Sequence, residues 1–427
     1  MKVRRYITMA ALLLSAAATS AVLAPLPRQV ILIIGDGMDE QQITIARNYL
    51  RGAGGELLLD RMPLRSAVQI ETSEDSVDGK PVYVADSANT ASTMATGTVT
   101  SIGRISTSAG DDRDLTTIAE LATAAGLRTG IVTTASVTDA TPAAFATHIS
   151  LRLCEDAATM VDINYHDIPL GECSADLKAN GGKGSIAEQL AASGVDVILG
   201  GGTAHFAPIA EGEATSTLEL AQRNGYTVVT DAEELATAAP QDKLLGLFSE
   251  GTMPVRLQGE NGREAEDPQR SWLNQLHPYL GSVTLPDPMR CVPNPAFSGV
   301  PTLRQMTDAA LAHLSDNNDS GFFLMIESAS IDKQSHERKP CGSIGELEQL
   351  EESLFAKFPI PVFTPGKVAR IVTPEGGHMA VNYATNNFIM EEHTGAAVPL
   401  FANEEGLGRI PPFIRQSRIF TTSREYL

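Results

Sequence analysis

Residues Val30-Ile31-Leu32-Ile33-Ile34 form an unbroken aliphatic run that stops at Gly35-Asp36-Gly37. A strand with one wet face alternates apolar and polar residues. A continuous run therefore predicts a strand buried on both faces, as in a parallel sheet, with a turn at its carboxyl end. The pattern recurs. Residues 115–125 have helical spacing, Gly126 stops them, and Thr129-Gly130-Ile131-Val132-Thr133 reads as a second buried strand. Helix then strand follows again over 186–192 and 195–199, and over 303–314 and 321–326. This alternation predicts an α/β fold, a three-layer sandwich with a mainly parallel central sheet and helices on both faces.

The 427 residues are 43% hydrophobic and 20% charged, which excludes a disordered segment or a small interaction module. The 52 acidic against 32 basic residues give a net charge of −20, the wrong sign for a generic nucleic-acid or anionic-membrane binder. An anionic ligand is expected only where metal ions or a focused arginine reverse the local field.

Lys2, Arg4 and Arg5 precede an apolar, Ala-rich stretch over 7–23, with small residues around Ala21 and Ala24. This reads as a signal peptide over 1–24, so a periplasmic or secreted chain is expected, with no membrane association once mature. The remainder, 25–427, is expected to be a single domain, with 203–290 as its surface elaboration. In an exported chain the four cysteines suggest two disulfides. Three connectivities are possible, and the local one, Cys154–Cys173 with Cys291–Cys341, is the expectation.

Ligands of open parallel sheets bind beyond the carboxyl ends of strands. Asp36 follows the first strand, Asp139 and Thr141 the second, and Glu327, Asp332 and His336 the strand at Phe323. A single such Asp is usually a helix cap or turn former. Several at strand ends, with imidazole nearby, suit a divalent cation, and Asp332 and His336 can reach one ion from a single helical turn. Asp86-Ser87-Ala88 reads as a loop entering a helix, whose first N–H groups favour a phosphate. Taken alone, Ser87 would be no more than a cap.

The chain resembles the bacterial alkaline phosphatases of the enterobacterial periplasmic type. The resemblance rests on Ile33-Ile34-Gly35-Asp36-Gly37-Met38, Asp86-Ser87-Ala88, and Asp139-Ala140-Thr141-Pro142-Ala143-Ala144 running on to His148, Arg152 and Cys154. It continues through Leu199-Gly200-Gly201-Gly202, Glu327-Ser328-Ala329-Ser330-Ile331-Asp332-Lys333-Gln334-Ser335-His336 and Glu392-His393-Thr394-Gly395. It implies hydrolysis of phosphomonoesters by Ser87 through phosphoserine, with Arg152 clamping two phosphate oxygens and Lys333 near the phosphate. It implies a zinc ion held by Asp332, His336 and His393. A magnesium site would involve Asp139, Thr141 and Glu327, with Asp36 bridging it to a zinc. The same two disulfides and a homodimer are implied. The residue types suit the chemistry, since a serine hydroxyl needs activation and an arginine fork matches phosphate.

One departure stands out. The family's second zinc takes an Asp-His pair from a Thr-Ala-Asp-His segment, and no Asp occurs here after Asp332. A helix-like stretch over 344–354 runs directly into Phe355-Ala356-Lys357-Phe358-Pro359, as if a segment were deleted near 353–356. Three readings follow: a damaged enzyme, replacement of the lost pair by Glu375 and His378, or a catalytically silent metal- or phosphate-binding homologue. A phosphodiesterase or sulfatase of the same superfamily is the rival among enzymes. His148, His166, His205, His277 and His313 read as structural or surface residues.

Overall fold

The computed structural model describes residues 28–165, 168–240, 242–277, 280–351, 367–383, 390 and 392–427. The expected signal peptide over 1–24, the expected deletion near 353–356 and His166 fall outside the described residues. Six parallel strands form the central sheet: β1 (Arg28–Gly35), β2 (Arg128–Ser136), β3 (Val197–Gly201), β4 (Tyr226–Val229), β5 (Lys243–Leu247) and β6 (Gly321–Ser328). Their order across the sheet is β1-β6-β2-β3-β5-β4.

Side chains alternate faces along a strand. Phe323 and Met325 of β6 enter one hydrophobic cluster, packed with Ala88, Ala91 and Ala95 of α2 (Ser87–Thr96) and Ile118 and Ala122 of α3 (Ile118–Ala124). Phe322, Leu324 and Ile326 enter the other. There they meet Ile43 and Ala46 of α1 (Glu40–Arg51) and Ile344 and Leu347 of the Pro340–Glu351 helix. The expected α/β sandwich is therefore present, with helices on both faces.

Two sequence expectations change. β1 is an edge strand among the described residues, and Ile31 and Ile33 are each 45% exposed, not buried on both faces. The stretch 203–290 is also more than surface elaboration, because β4 and β5 extend the sheet there. Their brevity hid them: each is only a few residues long, and β5 is interrupted by Gly246.

Both expected disulfides are present, Cys154–Cys173 and Cys291–Cys341, with Cα separations of 6.4 and 5.3 Å. Among the described residues, no helix is long and apolar enough to cross a membrane.

Candidate active site

In-register pairing of β1, β6 and β2 sets Ile34 beside Glu327 and Glu327 beside Thr133, so Asp36 and Glu327 arrive at one rim. The turn after β1 requires Gly37. Its φ is +64°, and a Cβ there would stand 2.7 Å from the Asp332 Cα. Helix α2 begins at the same rim. Asp86 caps it, accepting from the Asn89 N–H at 3.0 Å, while Asn89 Oδ1 accepts from the Asp86 N–H at 2.9 Å. Ala88, Ala91 and Ala95 let α2 lie close to the sheet, and Ser87 enters its first turn 7% exposed.

Ser87 donates from Oγ to Asp36, 3.0 Å from Oδ2 and 3.3 Å from Oδ1. Arg152 spreads its guanidinium between two loops: Nη1 is 3.3 Å from Asp86 Oδ2, and Nη2 is 2.9 Å from Asp139 Oδ1. Lys333 Nζ donates to the other oxygen of Asp139. Asp139 also caps the short turn α4 (Ala140–Ala143), accepting from the Ala140 N–H at 2.7 Å.

Asp332, His336 and His393 converge so that one ligand atom from each lies within 4.8 Å of the others. His336 Nε2 and His393 Nε2 are 3.1 Å apart, and each is 3.2 Å from an oxygen of Asp332. Two imidazole nitrogens and a carboxylate are a donor set that suits zinc with a coordination position left open. Burial works against ionisation of Asp332, but the two imidazoles outweigh it and hold its carboxyl below the usual range. His393 is raised by Asp332 in return.

Burial, followed by the Asp332 charge, pushes the Asp36 carboxyl up to about 7. Burial, followed by Asp36, pushes Glu327 up to about 8, although the Thr133 hydroxyl donates to it at 2.5 Å and Thr141 donates as well. Buried carboxylates with too little positive charge around them suit a hard cation with oxygen ligands. Asp139 differs. Burial opposes its ionisation, but Lys333 and Arg152 hold it well below the usual range. Asp36, Asp139, Thr141 and Glu327 thus share the rim, with Asp139 engaged by the two basic groups.

Glu375 and His378 do not replace the absent Asp-His pair. The Glu375 carboxylate lies against Gly52, at the end of α1 away from the rim. His378 is exposed at the start of a hairpin strand, its Nδ1 3.3 Å from Arg370. Sequence reading left Thr133 and Asp86 without roles. Asp86 carried a signal as the acidic residue before a helix, whereas Thr133 looked like any strand threonine.

Comparisons with known proteins agree with this architecture. A family model described as alkaline phosphatase matches residues 27–358. The alkaline phosphatase of Escherichia coli K12 is 37% identical over 94% of this chain and 86% of that protein. Streptomycin-6-phosphate phosphatase of Streptomyces griseus is 38% identical over 88% of this chain and 85% of that protein. Among solved structures, alkaline phosphatase from the Antarctic bacterium TAB5 shares the fold, with a TM-score of 0.59 over 94% of this chain and 98% of that chain, at 19% identity. The chain belongs to the alkaline phosphatase family, whose members are metalloenzymes, and it is a phosphatase.

Proposed function

We propose that this chain hydrolyses phosphate monoesters by in-line attack of Ser87 Oγ on phosphorus. In the first half-reaction the Oγ–P bond forms and the ester P–O bond breaks, and the alcohol leaves with a proton. In the second, water attacks phosphorus, the Oγ–P bond breaks, and Ser87 is regenerated as phosphate departs. Asp36 accepts the Ser87 hydroxyl and so aims a lone pair outward. Ser87 lies in the first turn of α2, where free N–H groups and the helix dipole favour phosphate oxygens. Arg152 presents a planar fork to two of those oxygens, held by Asp86 and Asp139. Lys333 adds positive charge beside Asp139.

Asp332, His336 and His393 would hold a zinc ion, and Asp139, Thr141 and Glu327 a magnesium ion or its water shell, with Asp36 between them. Such ions lower the pKa of a coordinated oxygen and stabilise charge developing at phosphorus. The observation that carries the reading is the 3.0 Å approach of Ser87 Oγ to Asp36 Oδ2, at the rim that also holds the two-histidine, one-aspartate group. We further read residues 1–24 as a cleaved signal and 25–427 as one domain, exported and possessing the family's homodimeric habit.

One observation favours a second reading, a silent homologue that binds metal or phosphate: no Asp follows Asp332, so the second zinc lacks its expected pair. Among the described residues β1 is an edge strand with Ile31 and Ile33 exposed, which supports the same loss. Metal analysis with an aryl-phosphate assay on purified protein decides. Turnover that disappears in Ser87→Ala supports the enzyme reading. Bound metal without turnover supports the silent one, and turnover unchanged in Ser87→Ala overturns both.

A further inference from the structure

His205 lies in the turn after β3, on the short helix α5 (Thr203–Phe206), and belongs to none of the groups described above. Its two ring nitrogens meet two consecutive carboxylates: Nδ1 is 2.8 Å from Asp156 Oδ2, and Nε2 is 3.2 Å from Glu155 Oε2. Those carboxylates follow Arg152 by four and three positions. The Thr138 hydroxyl donates to the same Glu155 oxygen at 2.5 Å. Thr138 is wholly buried, is held by Ser136 Oγ at 2.6 Å, and immediately precedes Asp139. Asp139 in turn accepts from Arg152. The contacts close a ring: Arg152, through the chain to Glu155, then Thr138, then Asp139, and back to Arg152. His205 fastens that ring to the sheet.

Each nitrogen of His205 faces a different carboxylate, so the group is a clamp and not a convergent metal site. Each ring nitrogen lies within hydrogen-bond reach of a carboxylate oxygen, and the Asp156 carboxylate, against the opposing effect of burial and with help from Glu155, raises the His205 pKa. Without the imidazole, two adjacent acids would lose the partner they share, one of them only 6% exposed. The Arg152 fork spans two loops, and a small displacement of one relative to the other would misalign it with a phosphate.

We infer that His205, acting through Glu155 and Thr138, is a positioning residue that aligns the Arg152 fork for phosphate. The inference rests on the reading of Arg152 as the phosphate clamp. The test uses the full chain with its metals, measuring inhibition by inorganic phosphate, KM and kcat for an aryl phosphate, metal content and thermal midpoint. His205→Ala should raise the phosphate Ki and KM about tenfold with a smaller change in kcat and unchanged metal content. His205→Arg, a planar cation able to span both carboxylates, should restore them. Thr138→Val cuts the link while leaving the His205 clamp in place, and should raise Ki similarly. The double variant should be no worse than either single one, because both interrupt one path.

A folded His205→Ala with the wild-type Ki overturns the inference, as do additive effects in the double variant. If His205→Ala does not fold, an unchanged Ki in Thr138→Val overturns it alone. A wild-type protein that neither turns over aryl phosphate nor binds phosphate overturns the parent reading and the inference with it.

Discussion

Ser87 Oγ and Asp36 Oδ2 are 3.0 Å apart although 51 positions separate them in sequence. The contact exists because the end of β1 and the first turn of α2 reach the same rim, the one stopped by Gly35-Asp36-Gly37 and the other capped by Asp86. A buried hydroxyl donating to a half-buried carboxylate has a defined lone-pair direction, which a nucleophile requires.

Ser87→Ala should lower kcat for an aryl phosphate about a thousandfold or more while leaving the fold intact, because the side chain is small and its helix is capped by Asp86. Steady-state kinetics with a circular dichroism control check this. Retention of most of the activity would remove Ser87 from its role.

Arg152→Ala should raise KM and the Ki for phosphate by about ten- to a hundredfold, the range expected for one or two hydrogen bonds to a charged group. Arg152→Lys should recover little of it, since a point charge cannot span Asp86 and Asp139 as the fork does. Phosphate inhibition of the two variants makes the comparison.

His336→Ala and His393→Ala should each lose bound metal, because either change removes one of three converging donors. Elemental analysis reads this directly. Wild type should also gain thermal stability as zinc is restored after chelation, while the variants gain less, since an ion bound only by the folded state stabilises it by mass action.

His148 makes stability depend on pH. Burial pulls its pKa down, but the Glu120 carboxylate at 2.9 Å and the Ser106 carbonyl at 3.0 Å outweigh it, and the net displacement is upward from 6.5. A group whose pKa is higher in the folded state adds stability in full below its unfolded value, and that stability fades as pH rises through the folded value. The difference in urea midpoint between wild type and His148→Gln should therefore be larger at pH 5.5 than at pH 8.5. An equal difference at both would show that the ring contributes only packing.

Loss of Cys154–Cys173 should cost about 3 kcal/mol in the chain-entropy account of a loop this short. The two cysteines are 19 positions apart, and the first lies two positions after Arg152. Cys154→Ser with Cys173→Ser should thus lower the denaturation midpoint and also raise the Ki for phosphate. A stability loss with no change in Ki would uncouple the disulfide from the clamp.

Much of the site was legible in sequence because strand ends are conspicuous. Aliphatic runs end at Asp36 and Glu327, and the i, i+4 pair Asp332 and His336 shares a helix face. The Cys154–Cys173 and Cys291–Cys341 pairs were legible as well. β4 and β5 were not, because short strands carry little periodic signal. Nor was the exposed edge of β1: hydrophobicity records what a strand can bury, and neighbours decide what is covered.

By itself the sequence determined the alternation of helix and strand, the turns that halt the chain at Gly37 and Gly126, and the donor types offered at each strand end, since these depend on periodicity and local backbone preference. Only the tertiary structure decided which donors meet. It drew His393 to Asp332, tied His205 through Glu155 to the Arg152 loop, and set Glu375 against Gly52 away from the rim. Such pairings depend on sheet order and register, which residues distant in the chain settle together by packing.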